Sequence, residues 1–483
     1  MKVKSKIWTM GFLILVSVTL TVVGSAVVKI DPFFHYRAPD INTYYYRLDN
    51  QRSQNDGISK YFKYDALITG TSVTENFKTS EMDELFGTHS IKVPYSGGSY
   101  KEINDNLINA LNNNQDLRII VRGLDMHMFL NRSDVMRSDL GEYPTYLYDN
   151  NIFNDVKYIF NRDVVFNRVY QMVRDKNSDD FTPGITSFDD YSYWPANHSY
   201  GINTVLSDPS DISNSGPKEA VHLTDAEREI ISENIYQNVT SLAEAYPEVT
   251  FYYFLPPCSA LWWYGLVNNG TIYKQIEAEE YIIETILQVE NIRLYSFNNR
   301  TDITTDLNNY FDIMHYGPWV NSLILRWICD EEYLLTWDNY EDYLAQELSF
   351  YTSYDYSQLA EQEDYDNNFY AAALLNAELH NVTPIKYTEE MVQSISNAGR
   401  AELKLAVDDI SDYQYLVFYG EKRSEQEWPA ASVYTENGDK LTEVTAAYYN
   451  TDDEWQQYLL DVSGIEGAVI IILNDEYSDI TLY

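Results

Sequence analysis

The sequence predicts an α/β chain: a parallel sheet covered by helices, a membrane-spanning helix before it, and an acidic β-sandwich after it. Three observations lead there. An uncharged stretch of 22 residues, Ile7–Val28, follows Lys2, Lys4 and Lys6. From about Tyr64 to Asp330, short apolar runs alternate with helical spacings, the pattern of strands and crossover helices. Beyond Tyr351 the composition shifts. Residues 352–483 hold 26 acidic and 6 basic side chains, a net −20 and about half of the chain's −41.

At ~1.5 Å per residue the uncharged stretch spans ~33 Å, which matches the hydrocarbon core of a bilayer. Its basic flank assigns the N-terminus to the cytoplasmic side and the bulk of the chain to the outside, a single-pass cell-membrane protein. Gly24-Ser25-Ala26 offers a weak small-residue cleavage site, so a cleaved leader competes with a retained anchor. The stretch is long for a leader, which favours the anchor. A net charge of −41 argues against nucleic-acid binding and disfavours anionic lipid surfaces. Cys258 and Cys329 are the two cysteines; one bridge and two separate thiols are both open.

In the α/β region Ala66–Gly70 reads as a buried strand. Thr79 or Ser80 is the expected cap of a short helix that Gly87 ends. Ser90–Pro94 is a second strand, Tyr100 to about Asn113 a helix, and Leu117–Gly123 a third strand. Residues of about 126–221 break the rhythm and read as an insertion, with helices near 152–175 and then a polar loop. Thr224 and Glu227 form a capping-box pattern for a helix reaching about Ala245. Val249–Leu255 is a strand, Ala278–Val289 a helix, Ile292–Phe297 a strand, and a helix follows Asp312 to about Asp330. In the acidic region β-like runs recur at Leu403–Val407, Tyr415–Tyr419, Ser432–Tyr434, Trp455–Asp461 and Ala468–Leu473, the spacing of a sandwich. The division is 1–30 anchor, 31–351 α/β domain with its insertion, and 352–483 acidic β domain, a candidate carbohydrate-binding unit.

Ser72 stands where β-strand gives way to helix in DALITGTSVTENF. A serine there projects its hydroxyl above the carboxyl edge of the sheet, where open α/β sheets bind ligands. It is equally suited to cap a helix. A nucleophilic serine needs a base, and the seven histidines allow an exhaustive search. His35, His89, His198, His222 and His380 are poorly placed. His127 follows the third strand. His315 lies three residues after Asp312 in a tight loop, where the carboxylate can hold Nδ1 and leave Nε2 free. Trp262, Trp263 and Tyr264 follow the strand ending at Leu255; sugar- or lipid-facing rings and a buried cluster are equal readings. Nothing beside Cys258 would lower its pKa. No metal-ligand spacing and no phosphate loop are present, so no cofactor is expected.

Together these pieces resemble the SGNH/GDSL hydrolase superfamily over about residues 60–330. Gly70-Thr71-Ser72-Val73 matches its first block, Ser96-Gly97 its second, and Asp312-Ile313-Met314-His315 its last, in the family's chain order. The resemblance implies a three-layer, flavodoxin-type parallel sheet with helices on both faces. It also implies Ser72 as nucleophile, His315 as base, Asp312 as its orienting carboxylate, and the amides of Ser72 and Gly97 as oxyanion donors. The third block departs: Arg122-Gly123-Leu124-Asp125 puts Asp125 where the family has an oxyanion-binding asparagine. Three readings stay open: Asp125 turns away to pair with Arg122, the oxyanion hole uses only the amides of Ser72 and Gly97, or Asp125 faces a substrate hydroxyl or amine. The layout of anchor, aromatic juxtamembrane segment and early Gly-Thr-Ser is similar to membrane-anchored SGNH-like proteins of Gram-positive bacteria, including those of teichoic-acid D-alanylation. This implies a serine esterase or acyltransferase acting on acyl or aminoacyl esters of a cell-wall or teichoic-acid-like polymer, with a membrane-bound acyltransferase as partner. The rival reading is a non-catalytic polymer-binding or assembly protein on a degenerate SGNH scaffold; a structural adhesin is a third.

Overall fold

Five apolar runs become five parallel strands in the computed structural model: Ala66–Gly70 (β1), Ser90–Pro94 (β2), Ile119–Gly123 (β3), Thr250–Leu255 (β4) and Ile292–Ser296 (β5). The structure describes residues 2–139, 143–149, 151–178, 181–194, 200–206, 212, 219–362 and most of 385–482; His198 and His380 lie outside them. The sheet order is β2-β1-β3-β4-β5. The connection changes direction between β1 and β3, which opens a crevice beyond their carboxyl ends.

Both faces of the sheet are largely apolar, as expected of a parallel sheet covered on two sides, with Thr69, Lys92 and Arg122 among the buried polar exceptions. Alternate residues feed opposite cores. Leu67, Ile120, Phe251 and Tyr253 join one cluster; Ala66, Ile68, Val121 and Phe254 join the other. The first is covered by helices at Gln51–Tyr61 (α2), Tyr100–Asn113 (α4), Asp225–Ile235 (α5), Ala260–Asn269 (α6), Ile272–Ile286 (α7) and Tyr340–Ser353 (α9). The second is covered by Thr79–Phe86 (α3) and Pro318–Cys329 (α8). The long N-terminal helix, Lys2–Ile30, is α1.

Several boundaries differ from the sequence expectation for identifiable reasons. Thr79 and Ser80 do not cap α3, because the insertion's Asp189 accepts from both hydroxyls, at 2.9 and 2.6 Å. Gly87 ends the helix in the left-handed region, as expected. The Thr224–Glu227 capping box forms, but a π-helical turn at Tyr236–Thr240 interrupts the run toward Ala245. The helix expected at Ala278–Val289 begins earlier, at Ile272. The two cysteines are free thiols.

Past residue 385, two antiparallel sheets form. One runs Lys440–Val444, Ala431–Thr435, Val469–Leu473, Arg400–Val407, Gln393–Asn397; the other centres on Trp455–Asp461, Tyr415–Glu421 and Ser478–Leu482. Leu405, Val433 and Ile471 of the first share a core with Leu416, Phe418 and Leu460 of the second.

The segment Ser5–Ile30 of α1 is long and apolar enough to be a membrane span or a signal sequence. Its end is built into the α/β core: Val27, Ile30, Phe33 and Phe34 are buried. Asp31 fixes the exit. Its buried carboxylate accepts from the backbone amides of His35, Tyr36 and Arg37 and from the Tyr158 hydroxyl, at 2.7–3.1 Å.

One buried pair gives the fold a pH dependence. Glu279 of α7 and Glu347 of α9 are fully buried and interact with each other. Burial raises both carboxyls above their ordinary value of 4.5. A carboxyl raised on folding favours the fold in its protonated form, so this contribution is lost as pH rises beyond the ordinary carboxylate range. Glu347→Gln keeps the shape of the protonated side chain. It should raise the thermal midpoint at pH 8 more than at pH 5, as read by calorimetry; equal shifts at the two pH values would contradict the buried-pair account.

Candidate active site

The turn that follows β1 is set by Gly70. Its φ is +145°, and a Cβ there would lie 2.6 Å from Thr74 Cγ2. Glycine therefore lets the chain leave the strand abruptly and enter the short 3₁₀ turn Ser72–Thr74. Ser72 does not cap a helix; Thr71 occupies the cap position of that turn. The Ser72 hydroxyl instead lies 2.7 Å from His315 Nε2.

The loop carrying His315 is closed on itself. Tyr310 and Tyr316 form a β-bridge, Phe311 N donates to His315 O at 2.8 Å, and Gly317 N donates to Asn309 O at 2.9 Å. Asp312 works with both oxygens. Oδ1 accepts from the amides of Met314 and His315, each at 2.8 Å, and Oδ2 lies 2.7 Å from His315 Nδ1. With Nδ1–H donated to the carboxylate, Nε2 is the acceptor for the Ser72 O–H. Two further contacts register this loop against the serine turn: Asn321 of α8 and the Tyr316 hydroxyl both donate to the carbonyl of Val73, at 2.9 and 3.4 Å. Ser259, capping α6, donates its hydroxyl to the Ile313 carbonyl at 2.8 Å.

The electrostatics follow from this packing. Burial disfavours charge on His315, but the Asp312 hydrogen bond and the nearby carboxylates of Asp312, Asp125 and Glu75 outweigh it and raise the imidazole above 6.5. Burial likewise opposes charge on Asp312, and the bonds from His315 and Met314 prevail, holding its carboxyl below 3.8. Cys258 is buried and its thiol is pushed up by that burial, unsuited to nucleophilic work.

The second loop, Tyr95–Gly98, sits beside the turn. Gly97 has φ +54°. Ser96 is held from both sides: its amide donates to Gln51 Oε1 at 2.6 Å, and its carbonyl accepts from Arg137 at 2.7 Å and Arg52 at 3.1 Å. Among the described residues, no protein group takes the amide hydrogens of Ser72 or Gly97.

Asp125 is buried, and it is not paired with Arg122. Its carboxylate accepts from Thr71 Oγ1 at 2.5 Å, and its carbonyl accepts from the Tyr100 hydroxyl at 2.8 Å. Arg122 points into the opposite core, donating to the Asn238 carbonyl at 2.6 Å and lying against the rings of Tyr100 and Tyr253. The expected pairing with Arg122 is thus corrected: Thr71 holds one oxygen of the Asp125 carboxylate instead. The aromatic run is also corrected in part. Trp263 is wholly buried and stacks on Tyr351 at 4.2 Å, a core residue; Trp262 and Tyr264 are partly buried, the latter against Tyr356.

Sequence reasoning missed Glu75, Lys92, Trp194 and Asn321. Trp194 comes from the insertion, packs its ring 5.3 Å from His315, and donates Nε1 to Glu75 at 2.8 Å. Lys92, buried in β2, donates to the carbonyls of Glu75 and Phe77 at 2.6 and 2.8 Å and so fixes the segment behind Ser72. Burial lowers its pKa to about 7. The one available signal was the placement of Lys92 between Ile91 and Val93 in an otherwise apolar strand. Among the described histidines, His315 alone reaches Ser72; His35 pairs with Asp155 and His222 with Glu277.

No family profile and no curated protein matches the chain. Solved structures similar to it include a Streptococcus pneumonia protein named as a platelet activating factor, at 12% identity and TM-score 0.27, covering 61% of this chain and 91% of that one. A two-domain esterase active on acetylated mannans, crystallised with mannopentaose, is 9% identical at TM-score 0.21, covering 86% and 89%. At these scores the likeness carries no conclusion about fold or activity.

The hydrogen-bond geometry makes one sharp prediction. Asp312→Asn removes the charge that outweighs burial at His315, so the imidazole pKa should fall below that of the wild type in a histidine NMR titration. An unchanged value would mean that Asp312 is not its electrostatic partner.

Proposed function

We propose that this chain is an extracytoplasmic serine esterase or acyltransferase of the SGNH type, acting on acyl or aminoacyl esters of a cell-surface polymer. The observation that carries the reading is the continuous chain Ser72 Oγ–His315 Nε2 and His315 Nδ1–Asp312 Oδ2, both links at 2.7 Å. The parallel five-stranded sheet, with the chain at the carboxyl end of β1, supports it.

In this reading His315 Nε2 takes the Ser72 proton as Oγ bonds to the ester carbonyl carbon. The carbonyl oxygen becomes an oxyanion, received by the amides of Ser72 and Gly97. The C–O bond to the leaving alcohol then breaks, and His315 returns the proton to that oxygen. Water or a polymer hydroxyl attacks the acyl-enzyme by the reverse steps. Asp312 orients the imidazole and stabilises its charged form.

Asp125 takes a different part from the asparagine it replaces. A carboxylate cannot donate to the oxyanion, and losing one such donor costs about 2.7–4 kcal/mol of transition-state stabilisation. Held by Thr71, its charge instead favours the imidazolium that forms as Ser72 loses its proton. The site is thereby strong in base stabilisation and lean in oxyanion donors, which suits activated esters over amides.

Two outcomes test the proposal. Ser72→Ala should abolish fluorophosphonate labelling and ester turnover while the melting curve persists; labelling that survives in that variant would sink the assignment. Because His315 must be neutral to act as base, kcat/KM should rise with pH through an apparent pKa above about 6.5. A flat profile across that range would remove His315 from the reaction. Absence of labelling in the wild type, with polymer binding retained, would favour the non-catalytic reading that Asp125 motivates.

A further inference from the structure

The insertion carries an apolar surface that the chemistry above does not use. Of its helical segments, Val156–Ile159 buries Tyr158 and Asp163–Val169 buries Val164 and Val169, while Tyr170–Asp175 only packs the partly buried Met172 against the core. Their outer side is apolar as well. Phe153 is 87% exposed, Ile152 73%, Phe166 60%, Tyr170 58%, Val156 55% and Phe160 43%. Val156 and Phe160 lie four residues apart at the first segment, and Phe166 and Tyr170 four apart across the second and third, so the run shows the solvent a series of large side chains. A soluble surface rarely gathers so many without a partner.

Two observations identify what covers it. First, the patch is continuous with α1. The Ile159 and Phe160 side chains lie against Gly24, 3.2 and 3.7 Å from where a Cβ would stand, in the last turns of the apolar helix. If the span starts near Ile7, the 17 residue steps to Gly24, at ~1.5 Å each, place it ~26 Å along the helix, in the outermost turn of a hydrocarbon core ~30 Å thick. Second, the local charge is opposite to that of the whole. Residues 152–176 carry Lys157, Arg162, Arg168, Arg174 and Lys176 against Asp155, Asp163 and Asp175, a net +2 in a chain of −41. Aromatic rings and basic side chains around an apolar stripe are the composition of a helix lying at a lipid interface.

We propose that the 152–176 segment is a membrane-interface foot that seats the α/β domain on the outer leaflet beside α1, with Phe153 and Phe166 immersed and Lys157, Arg162, Arg174 and Lys176 at headgroup level, Arg168 being turned inward onto Asp49 and the Phe33 ring. The expectation that an acidic exterior avoids anionic lipid does not extend to this segment, whose own net charge is positive. The proposal rests on α1 being a retained span.

The test uses the full chain in proteoliposomes of zwitterionic lipid with a fifth of anionic lipid. A nitroxide is attached at Phe153→Cys or Phe166→Cys in a Cys329→Ala background; the native Cys258 is buried. Leu15→Cys inside α1 and Glu233→Cys on α5 are controls. Collisions with oxygen should exceed those with a water-soluble nickel chelate several-fold at 153, 166 and 15, and the order should reverse at 233. Lipid exposure at 15 with water exposure at 153 and 166 overturns the foot and spares the span. Water exposure at 15 overturns the span itself. Protection from both reagents at 153 and 166 also overturns the foot, since a second copy of the chain then covers the patch.

Discussion

Ser72 and His315 are 243 residues apart in sequence, and their side-chain atoms meet at 2.7 Å. That approach sets the terms for much of the α/β domain. A hydroxyl and an imidazole cannot be held at hydrogen-bonding distance by two flexible loops. Here each loop is braced against the other and against the sheet. Asn321 and Tyr316 reach from the histidine side to the carbonyl of Val73, and Lys92 reaches from β2 to the carbonyls behind Ser72. A parallel sheet provides the frame, because all its carboxyl ends open on the same side.

The bracing is largely polar and buried, which is costly unless every group is matched. Lys92 meets that demand by donating to two backbone carbonyls near the turn. Glu75 meets it through Trp194 and Gln51. Gln51 also holds the Ser96 amide, so a single side chain links the first and second loops. Lys92, Glu75 and Gln51 brace the two loops without hydrogen-bonding to Ser72 Oγ or the His315 ring.

The apolar strands and the capping box were legible because burial on two faces writes continuous hydrophobic runs, and N-caps write a fixed four-residue pattern. Ser72, Asp312 and His315 were legible because few histidines exist and one lies three residues from a carboxylate in a loop. What was illegible shares a cause. The helix Gln51–Tyr61 buries Gln54, Asn55 and Ser59, which are satisfied by hydrogen bonds, so it lacks an apolar stripe. The environment of Asp125 depends on the Thr71 hydroxyl, 54 residues away. Trp194 approaches His315 from an insertion without periodic pattern. Such contacts are fixed by tertiary geometry, and local sequence carries no trace of them.

The Asp31 carboxylate has a mechanical consequence. By gathering three successive amides and the Tyr158 hydroxyl, it welds the end of α1 to the α/β core with no slack between them. A long polar stalk would let the α/β domain swing and sweep a hemisphere about its anchor. A welded joint gives it one altitude and one tilt. With α1 in a bilayer and Ser72 acting as proposed, the serine would work in a thin layer at constant height, and substrates would have to be delivered into that layer rather than fetched from beyond it.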